Sequence, residues 1–244
     1  SFVKALLQND ISASKIFILE KRISSELKKI KLRKRIKILK EVSKLPKNFR
    51  PNIVLLAVKP NQLDSAINEE LINIISDSLI ISIIAGKKIR ELKKLTRNKN
   101  NTVRAMTNTP VSLGMGTSII YFDKGINKQY KNLAREFLAL VGQVNEAKNE
   151  SAIDSFTAIY GSGPAYIYLM IESLIKISSK AGHKNSENMV IQTFLGSLLL
   201  LMSSNRNAKT LRENVTSKGG TTQAALSILN SRNGLSKLLS RAIN

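Results

Sequence analysis

Ile53-Val54-Leu55-Leu56-Ala57-Val58-Lys59-Pro60 is the stretch that decides how this chain folds. Six apolar residues without a polar break are the pattern of a strand buried on both faces, as in a parallel sheet covered by helices. Lys59-Pro60 stops the run, and Pro suits the first position of a helix. Residues 79–84 repeat the pattern and stop at Ala85-Gly86. Residues 102–106 repeat it again and stop before Pro110, and 116–121 follow. Upstream, Ile16-Phe17-Ile18-Leu19 is a strand candidate; 36–39, interrupted by Lys37, is a poorer one. Residues 62–75 and 89–95 have helical spacing between these runs. Strand and helix in alternation predict a parallel sheet with helices on its faces.

After about residue 148 the character changes. Residues 165–180, 187–203 and 223–229 all read as helices. Leu198 to Met202 are apolar without a break, so the second helix is expected to be buried on most sides. Gly-rich turns precede two of these segments: Tyr160-Gly161-Ser162-Gly163-Pro164, and Ser217-Lys218-Gly219-Gly220-Thr221-Thr222. A helical half that cannot hide its apolar surface alone predicts a dimer made through it.

Composition narrows the chemistry. The 244 residues include no Cys, and His183 is the single His. Disulfides, Cys nucleophiles, Cys/His zinc sites and Ser-His-Asp triads are therefore excluded together. The lack of Cys fits a reducing cytosol. The net charge is +22 from 39 basic and 17 acidic residues. Residues 21–47 hold twelve Lys/Arg against Glu26 and Glu41, with no aromatic residue between them. A nucleic-acid interface would want Arg forks or stacking rings, so a solvated basic face near an anionic cofactor is the preferred reading. The Lys, Ile and Asn content also matches A/T-rich codons. No membrane span is expected: the longest uncharged run, 188–205, includes Gln192, Thr193, Gly196 and Ser197, and its apolar part falls short of the roughly 20 residues required. Ser1-Phe2-Val3-Lys4 does not open a signal peptide.

Candidate ligand contacts lie at three strand ends. Ala57, Val58, Lys59 and Pro60 close the first, Ala85 and Gly86 the second, and Asn108 the third, within Met106-Thr107-Asn108-Thr109-Pro110. Open α/β sheets bind ligands outside the carboxyl ends of their strands. Singly each is an ordinary strand end; together they describe the rim of a crevice, with Lys59 its one charged group. Residues 217–222 are a second candidate. Adjacent glycines let backbone N–H groups approach a ligand, and a helix from about Thr222 adds its positive end. The segment suits a carboxylate or phosphate, and it reads equally as a capped loop between helices. Residues 160–166 read as a tight turn with Pro164 in the first helical turn. His183 is expected at the surface and Glu172 in a structural role.

These segments, in this order and spacing, resemble the pyrroline-5-carboxylate reductases. That family carries Ala-Val-Lys-Pro after one strand, Ala-Gly after the next, and then Met-(Pro or Thr)-Asn-Thr-Pro. Ser-Gly-Ser-Gly-Pro-Ala-Tyr opens its helical part, and Val-Thr-Ser-Pro-Gly-Gly-Thr-Thr comes near the end. Here they stand at 57–60, 85–86, 106–110, 160–166 and 215–222. The resemblance implies a Rossmann-like α/β domain over 1–148 and an all-α dimerisation and substrate-binding domain over 149–244. It implies reduction of 1-pyrroline-5-carboxylate to L-proline with NADPH or NADH, the last step of proline biosynthesis. It implies a cytoplasmic homodimer or higher oligomer that works without a metal or membrane. Ser217, Gly219, Gly220, Thr221 and Thr222 would hold the substrate carboxylate, with the Thr222 hydroxyl near the ring nitrogen as the catalytic group. Ala57, Val58, Lys59, Pro60, Ala85, Gly86 and Asn108 would line the cofactor. A protonated cyclic imine accepts hydride directly, which is why no Cys or His is needed. Glu20, Lys21 and Arg22 follow the strand at 16–19, where such folds read the adenine ribose; the two cations favour the 2′-phosphate of NADPH.

The chain departs from the family in three places. It opens without Met, inside the helix that follows the family's Gly-x-Gly-x-x-(Met or Leu) turn, so the first strand and that turn are expected to be absent from it. That strand would run between 16–19 and 53–58, leaving two strand edges without a partner. Lys218 stands for the usual Pro, and Tyr160 for a usual Ser. The last helix stops short at Asn244. Two other readings follow: a truncated remnant that dimerises without reducing anything and, ranked last, a basic nucleic-acid-binding module.

Overall fold

In a computed structural model that describes residues 2–34, 36–98 and 101–243, the chain divides into two compact units, Ser1–Pro164 and Ala165–Asn244. The first opens with α1 (Phe2–Gln8), β1 (Phe17–Leu19), α2 (Ser25–Lys34) and β2 (Lys37–Leu39). β1 and β2 pair in parallel as a small sheet of their own, with Ile18 opposite Ile38. Then come β3 (Ile53–Leu56), α3 (Leu63–Ala66), α4 (Glu69–Ile75), β4 (Leu79–Ser82), α5 (Ile89–Thr96) and β5 (Thr102–Thr107). β6 (Gly116–Phe122), α6 (Lys128–Ala139), β7 (Gly142–Glu146) and α7 (Ala152–Phe156) complete the unit. Strands β3 to β7 form one five-stranded sheet in chain order. Among the described residues β1 and β3 do not pair with each other.

The sheet is covered on both faces because its strands alternate apolar residues to both sides. In β4, Leu79 and Ile81 pack with Phe2, Ala5, Ala134 and Leu138 from α1 and α6. Ile80 points the other way and packs with Leu63, Leu71, Ile75 and Leu92 from α3, α4 and α5. Burying Leu79, Ile80 and Ile81 completely is worth about 1.5–3 kcal/mol per side chain. That offsets much of the cost of ordering so short a strand and favours its register between β3 and β5.

Four features differ from the sequence reading. The sheet is mixed: β5 and β6 run antiparallel, with Ala105 opposite Ile120. Their link is a 3₁₀ turn, Thr109–Leu113, ended by Gly114 in the left-handed region, too short for the crossover that parallel strands require. The helix expected over 62–75 is broken at Ile67-Asn68. Ile67 is extended there, and the Asn68 side chain accepts the Leu71 N–H at 2.9 Å, starting α4 as a new N-cap. β7 was not anticipated, since Gly-Gln-Val-Asn-Glu has no apolar run; it is an edge strand, exposed along much of its length. Gly142 begins it at φ +139°, where an added Cβ would run into the Gly116 backbone. α2 and α6 were also missed, both rich in Lys or Arg.

The second unit is all helical: most of α8 (Gly163–Lys180), then α9 (Ser186–Ser203), α10 (Ala208–Asn214), α11 (Thr221–Leu229) and α12 (Leu235–Ile243). α10 and α12 had no counterpart in the sequence reading. Glu172 accepts from Lys176 one turn on, which holds its carboxyl below its ordinary range. His183 is exposed, as expected. The burial expected for 187–203 is not found in the single chain. Leu198, Leu199 and Leu200 keep more than half of their surface, and Met202 nearly three quarters. The apolar run is real, but nothing among the described residues of one chain covers it. No helix among the described residues is long and apolar enough to cross a membrane.

Candidate active site

The carboxyl ends of three adjacent parallel strands build the first candidate site, within the α/β unit. β3 stops at Leu56, two residues short of the expected 53–58, so Ala57 and Val58 lie in the loop that follows. Ala57, Lys59 and Pro60 are exposed and Val58 half-buried. Pro60 opens a 3₁₀ turn whose Gln62 N–H donates to the Lys59 carbonyl at 2.9 Å. Beyond β4, Ala85 and Gly86 are exposed. Gly86 has φ +71° and open space around the position a Cβ would take, so the backbone there is accessible to a flat ligand.

Asn108 follows β5. Its Oδ1 accepts the Thr117 N–H at 3.0 Å, and its Nδ2 donates to the Tyr160 carbonyl at 3.2 Å. Both ends of the amide are engaged, so Asn108 ties the strand end to β6 and to the turn that leads into α8. That turn is a π-helical one, Thr157–Gly161, rather than the tight turn expected. Ser162 N–H donates to the Thr157 carbonyl at 2.9 Å, the i to i+5 spacing of such turns. The Tyr160 ring packs on Phe156 with centroids 5.0 Å apart, a contact that Ser at this position could not make.

Glu20, Lys21 and Arg22 sit at the end of β1. The Glu20 N–H donates to the Leu39 carbonyl, which carries the pairing one residue past the strand. The Glu20 carboxylate accepts the Arg22 backbone N–H at 3.0 Å. Glu20 is thus turned back onto its own loop, while the Lys21 and Arg22 side chains are exposed.

The loop at 217–222 is built as its glycines require. Gly219 has φ +74°. Gly220 is the N-cap of α11 and donates its N–H to the Ser217 carbonyl at 3.1 Å; a Cβ there would lie 2.6 Å from Ser217 Oγ. The Gly219 N–H donates to Gln223 Oε1. Sequence reasoning passed over Gln223, although a Gln three residues after an N-cap is the spacing from which a side chain reaches back over a helix start. The first-turn N–H groups of α11, with Thr221 and Thr222 among them, have no helical carbonyl to donate to. Ser217, Gly219 and Thr221 are exposed, and Gly220 and Thr222 half-buried. One loop therefore presents amides and hydroxyls together, a donor set suited to a carboxylate.

A family model for pyrroline-5-carboxylate reductase dimerisation matches residues 150–244. The pyrroline-5-carboxylate reductase of Haemophilus influenzae is 35% identical over 187 residues, covering 75% of this chain and 69% of that protein. The chain belongs to the pyrroline-5-carboxylate reductase family. Solved structures of this reductase family superpose on it along nearly its whole length. One from Coxiella burnetii has a TM-score of 0.84 at 31% identity, covering 99% of this chain and 89% of that one. A Plasmodium falciparum pyrroline carboxylate reductase with NADP bound has a TM-score of 0.84 at 28% identity, covering 99% of this chain and 88% of that one.

Proposed function

We propose that this protein reduces 1-pyrroline-5-carboxylate to L-proline with NADPH or NADH, as the last step of proline biosynthesis in the cytoplasm. The observation that carries the reading is the Ser217-to-Thr222 loop at the start of α11, in a chain of this reductase family. The functional division is placed at 148/149, beside the start of the family match at residue 150. The protein acts as a homodimer through its helical domain, whose apolar helices α8 and α9 are open in the single chain.

The rim of the α/β domain fits a dinucleotide. Ala57, Ala85 and Gly86 are small and exposed, and Lys59 offers a cation to a phosphate. Val58, Pro60 and Asn108 complete the lining, Asn108 mainly by holding its neighbours. The bound nicotinamide supplies the hydride. In the helical domain, Ser217, Gly219, Gly220 and Thr221 bind and orient the substrate carboxylate through backbone N–H groups and hydroxyls. The Gly219 amide takes part once Gln223 releases it, and Gly220, whose N–H stays on the Ser217 carbonyl, contributes the close backbone approach that its missing Cβ allows. Thr222 is the catalytic group. Its hydroxyl oxygen accepts from the N–H of the protonated ring, keeping the proton on nitrogen while the adjacent carbon is reduced.

NADPH is the preferred cofactor. Lys21 and Arg22 are free to meet a 2′-phosphate, whereas the Glu20 carboxylate that would favour NADH is engaged by the Arg22 amide. The test is NADPH fluorescence followed with 1-pyrroline-5-carboxylate, with proline measured as product and NADH run beside it. Expected is stoichiometric proline and a higher kcat/KM for NADPH, with the preference reduced in Lys21→Ala and Arg22→Ala. A dimer that consumes neither cofactor is the non-reducing remnant instead. Preference for NADH, unchanged in both variants, makes Glu20 the reader.

A further inference from the structure

Arg104 is the only charged side chain that is buried among the described residues, at 1% exposure. It lies in β5, opposite Ser82 of β4 and Tyr121 of β6. Strand alternation places it on the same face as Met106, which packs with Ile153 and Phe156 of α7. Its Nη2 donates to Asp154 Oδ1 at 2.7 Å, and its Nη1 is 3.5 Å from Glu150 Oε1. Its Nε is buried with no partner. A guanidinium in such a place is a poor way to fill a core, since an apolar side chain of similar volume packs as well without desolvation. What the guanidinium adds is direction: a planar fork that fixes whatever carboxylates it meets.

Those carboxylates lead to the rim. Glu150 Oε1 also accepts the Ile89 N–H at 2.7 Å, and Ile89 starts α5 just after Ala85-Gly86. Asp154 lies on α7, which runs directly into the π-helical turn Thr157–Gly161. Arg104 lies in β5 four residues before Asn108, which follows the end of that strand, and Asn108 closes the circuit by donating to the Tyr160 carbonyl. Three rim segments converge on one buried cation.

We propose that Arg104 is a positioning residue for the reaction: its fork, seated on Asp154 and Glu150, sets the 157–161 turn and the start of α5 against the end of β5 and so fixes Asn108 in the rim. The effect on turnover rests on the reductase reading above; the effect on the turn does not. The test compares Arg104→Lys, which keeps the charge and loses the fork, with Asp154→Asn and Glu150→Gln in the whole protein. Amide hydrogen exchange is read at Ser162 and Thr117, whose N–H groups report the turn and Asn108, with Ile81 as the sheet control. Arg104→Lys and Asp154→Asn are expected to speed exchange at Ser162 and Thr117 by at least about tenfold, with less than about twofold change at Ile81. Glu150→Gln, at the longer contact, is expected to do less at those two amides. In turnover, kcat falls by about tenfold or more with KM for 1-pyrroline-5-carboxylate nearly unchanged, the split expected when alignment and not binding is lost. Unchanged exchange at Ser162 in a folded variant overturns the proposal, as does a uniform rise that includes Ile81. Should Arg104→Lys not fold, Asp154→Asn decides alone, because the replaced side chain is itself 59% exposed and its removal leaves no cavity. The expected exchange pattern in a protein without reductase activity would overturn the reductase reading and leave the positioning role standing.

Discussion

Thr222 carries the most specific chemical expectation. Its hydroxyl stands in the first turn of α11, beside amides that the helix does not use. Removing one hydrogen bond to a charged group costs about 1.5–3 kcal/mol, or about 10- to 150-fold. Thr222→Val is therefore expected to lower kcat by that range while the NADPH dissociation constant, read by fluorescence titration, stays within about threefold. A variant as active as the parent removes Thr222 from the mechanism. At this scale the sequence was informative where chemistry is local. Gly219 and Gly220 announce an unusual backbone, and the structure gives each a reason: a left-handed φ for one and Ser217 Oγ at contact distance for the other. It was silent where partners are distant. Nothing in Met106-Thr107-Asn108-Thr109-Pro110 says that Asn108 bridges Thr117 and Tyr160, because Tyr160 lies 52 residues away. Arg104 looked like an ordinary strand residue for the same reason, its partner Asp154 being 50 residues on.

Among elements, those with apolar runs were legible and those defined by pairing or capping were not. β4 and β5 could be read from hydrophobicity because both faces are buried. β7 could not, because an edge strand owes its existence to β6, with Ser118 opposite Val144. Gly142 is the residue that lets it pair. Gly142→Ala forces a Cβ into the Gly116 backbone at φ +139°, and strain of this kind costs about 1–3 kcal/mol. The expected outcome is an unfolding free energy lower by that amount, read as a lower urea midpoint with an unchanged m-value; equal midpoints would mean that β7 does not start there. A second prediction concerns the tie between α5 and the turn after β6. Lys93 Nζ donates to Asp123 Oδ2 at 2.6 Å, and this bond is the main reason the Asp123 carboxyl is held below its ordinary 3.8; burial opposes it, and Lys124 assists. A carboxylate whose folded pKa is lowered contributes stability above its unfolded pKa and loses it as pH falls through the folded value. The side chains are 22% and 36% exposed, so solvent screening keeps the contribution below about 1 kcal/mol. Lys93→Met should lower the urea midpoint slightly at pH 7, with the difference shrinking as pH is taken below 3.8. A difference that persists in acid would assign the effect to packing of the Lys93 stem.

For the whole molecule, the order of an α/β part followed by a helical part was legible from the change in periodicity, although the compact units divide at Pro164 and Ala165, and the mixed sheet direction was not legible, since it depends on the short Thr109–Leu113 turn. The most useful disagreement is α9. Its run from Leu198 to Met202 was read as a buried helix, yet Leu198 is 52% exposed and Met202 73% exposed. Hydrophobicity records that a surface is to be covered and not which chain covers it. An open face this apolar is far from what a soluble monomer keeps, and on α8 Tyr168, Leu169 and Ile177 are likewise exposed. A self-complementary dimer is the economical cover, because a two-fold axis lets the same patch bury itself twice. A charge placed in that patch would be desolvated in both copies at once, at a cost of several kcal/mol for each unpaired ion. Leu198→Glu is therefore expected to halve the mass measured by light scattering at micromolar concentration and, because the exposed helices lose their cover, to lower the thermal midpoint as well. Glu at Leu19, an exposed residue at the end of β1, should leave the mass unchanged. If Leu198→Glu stays dimeric under the same conditions, the face formed by α9 is not where the two copies meet.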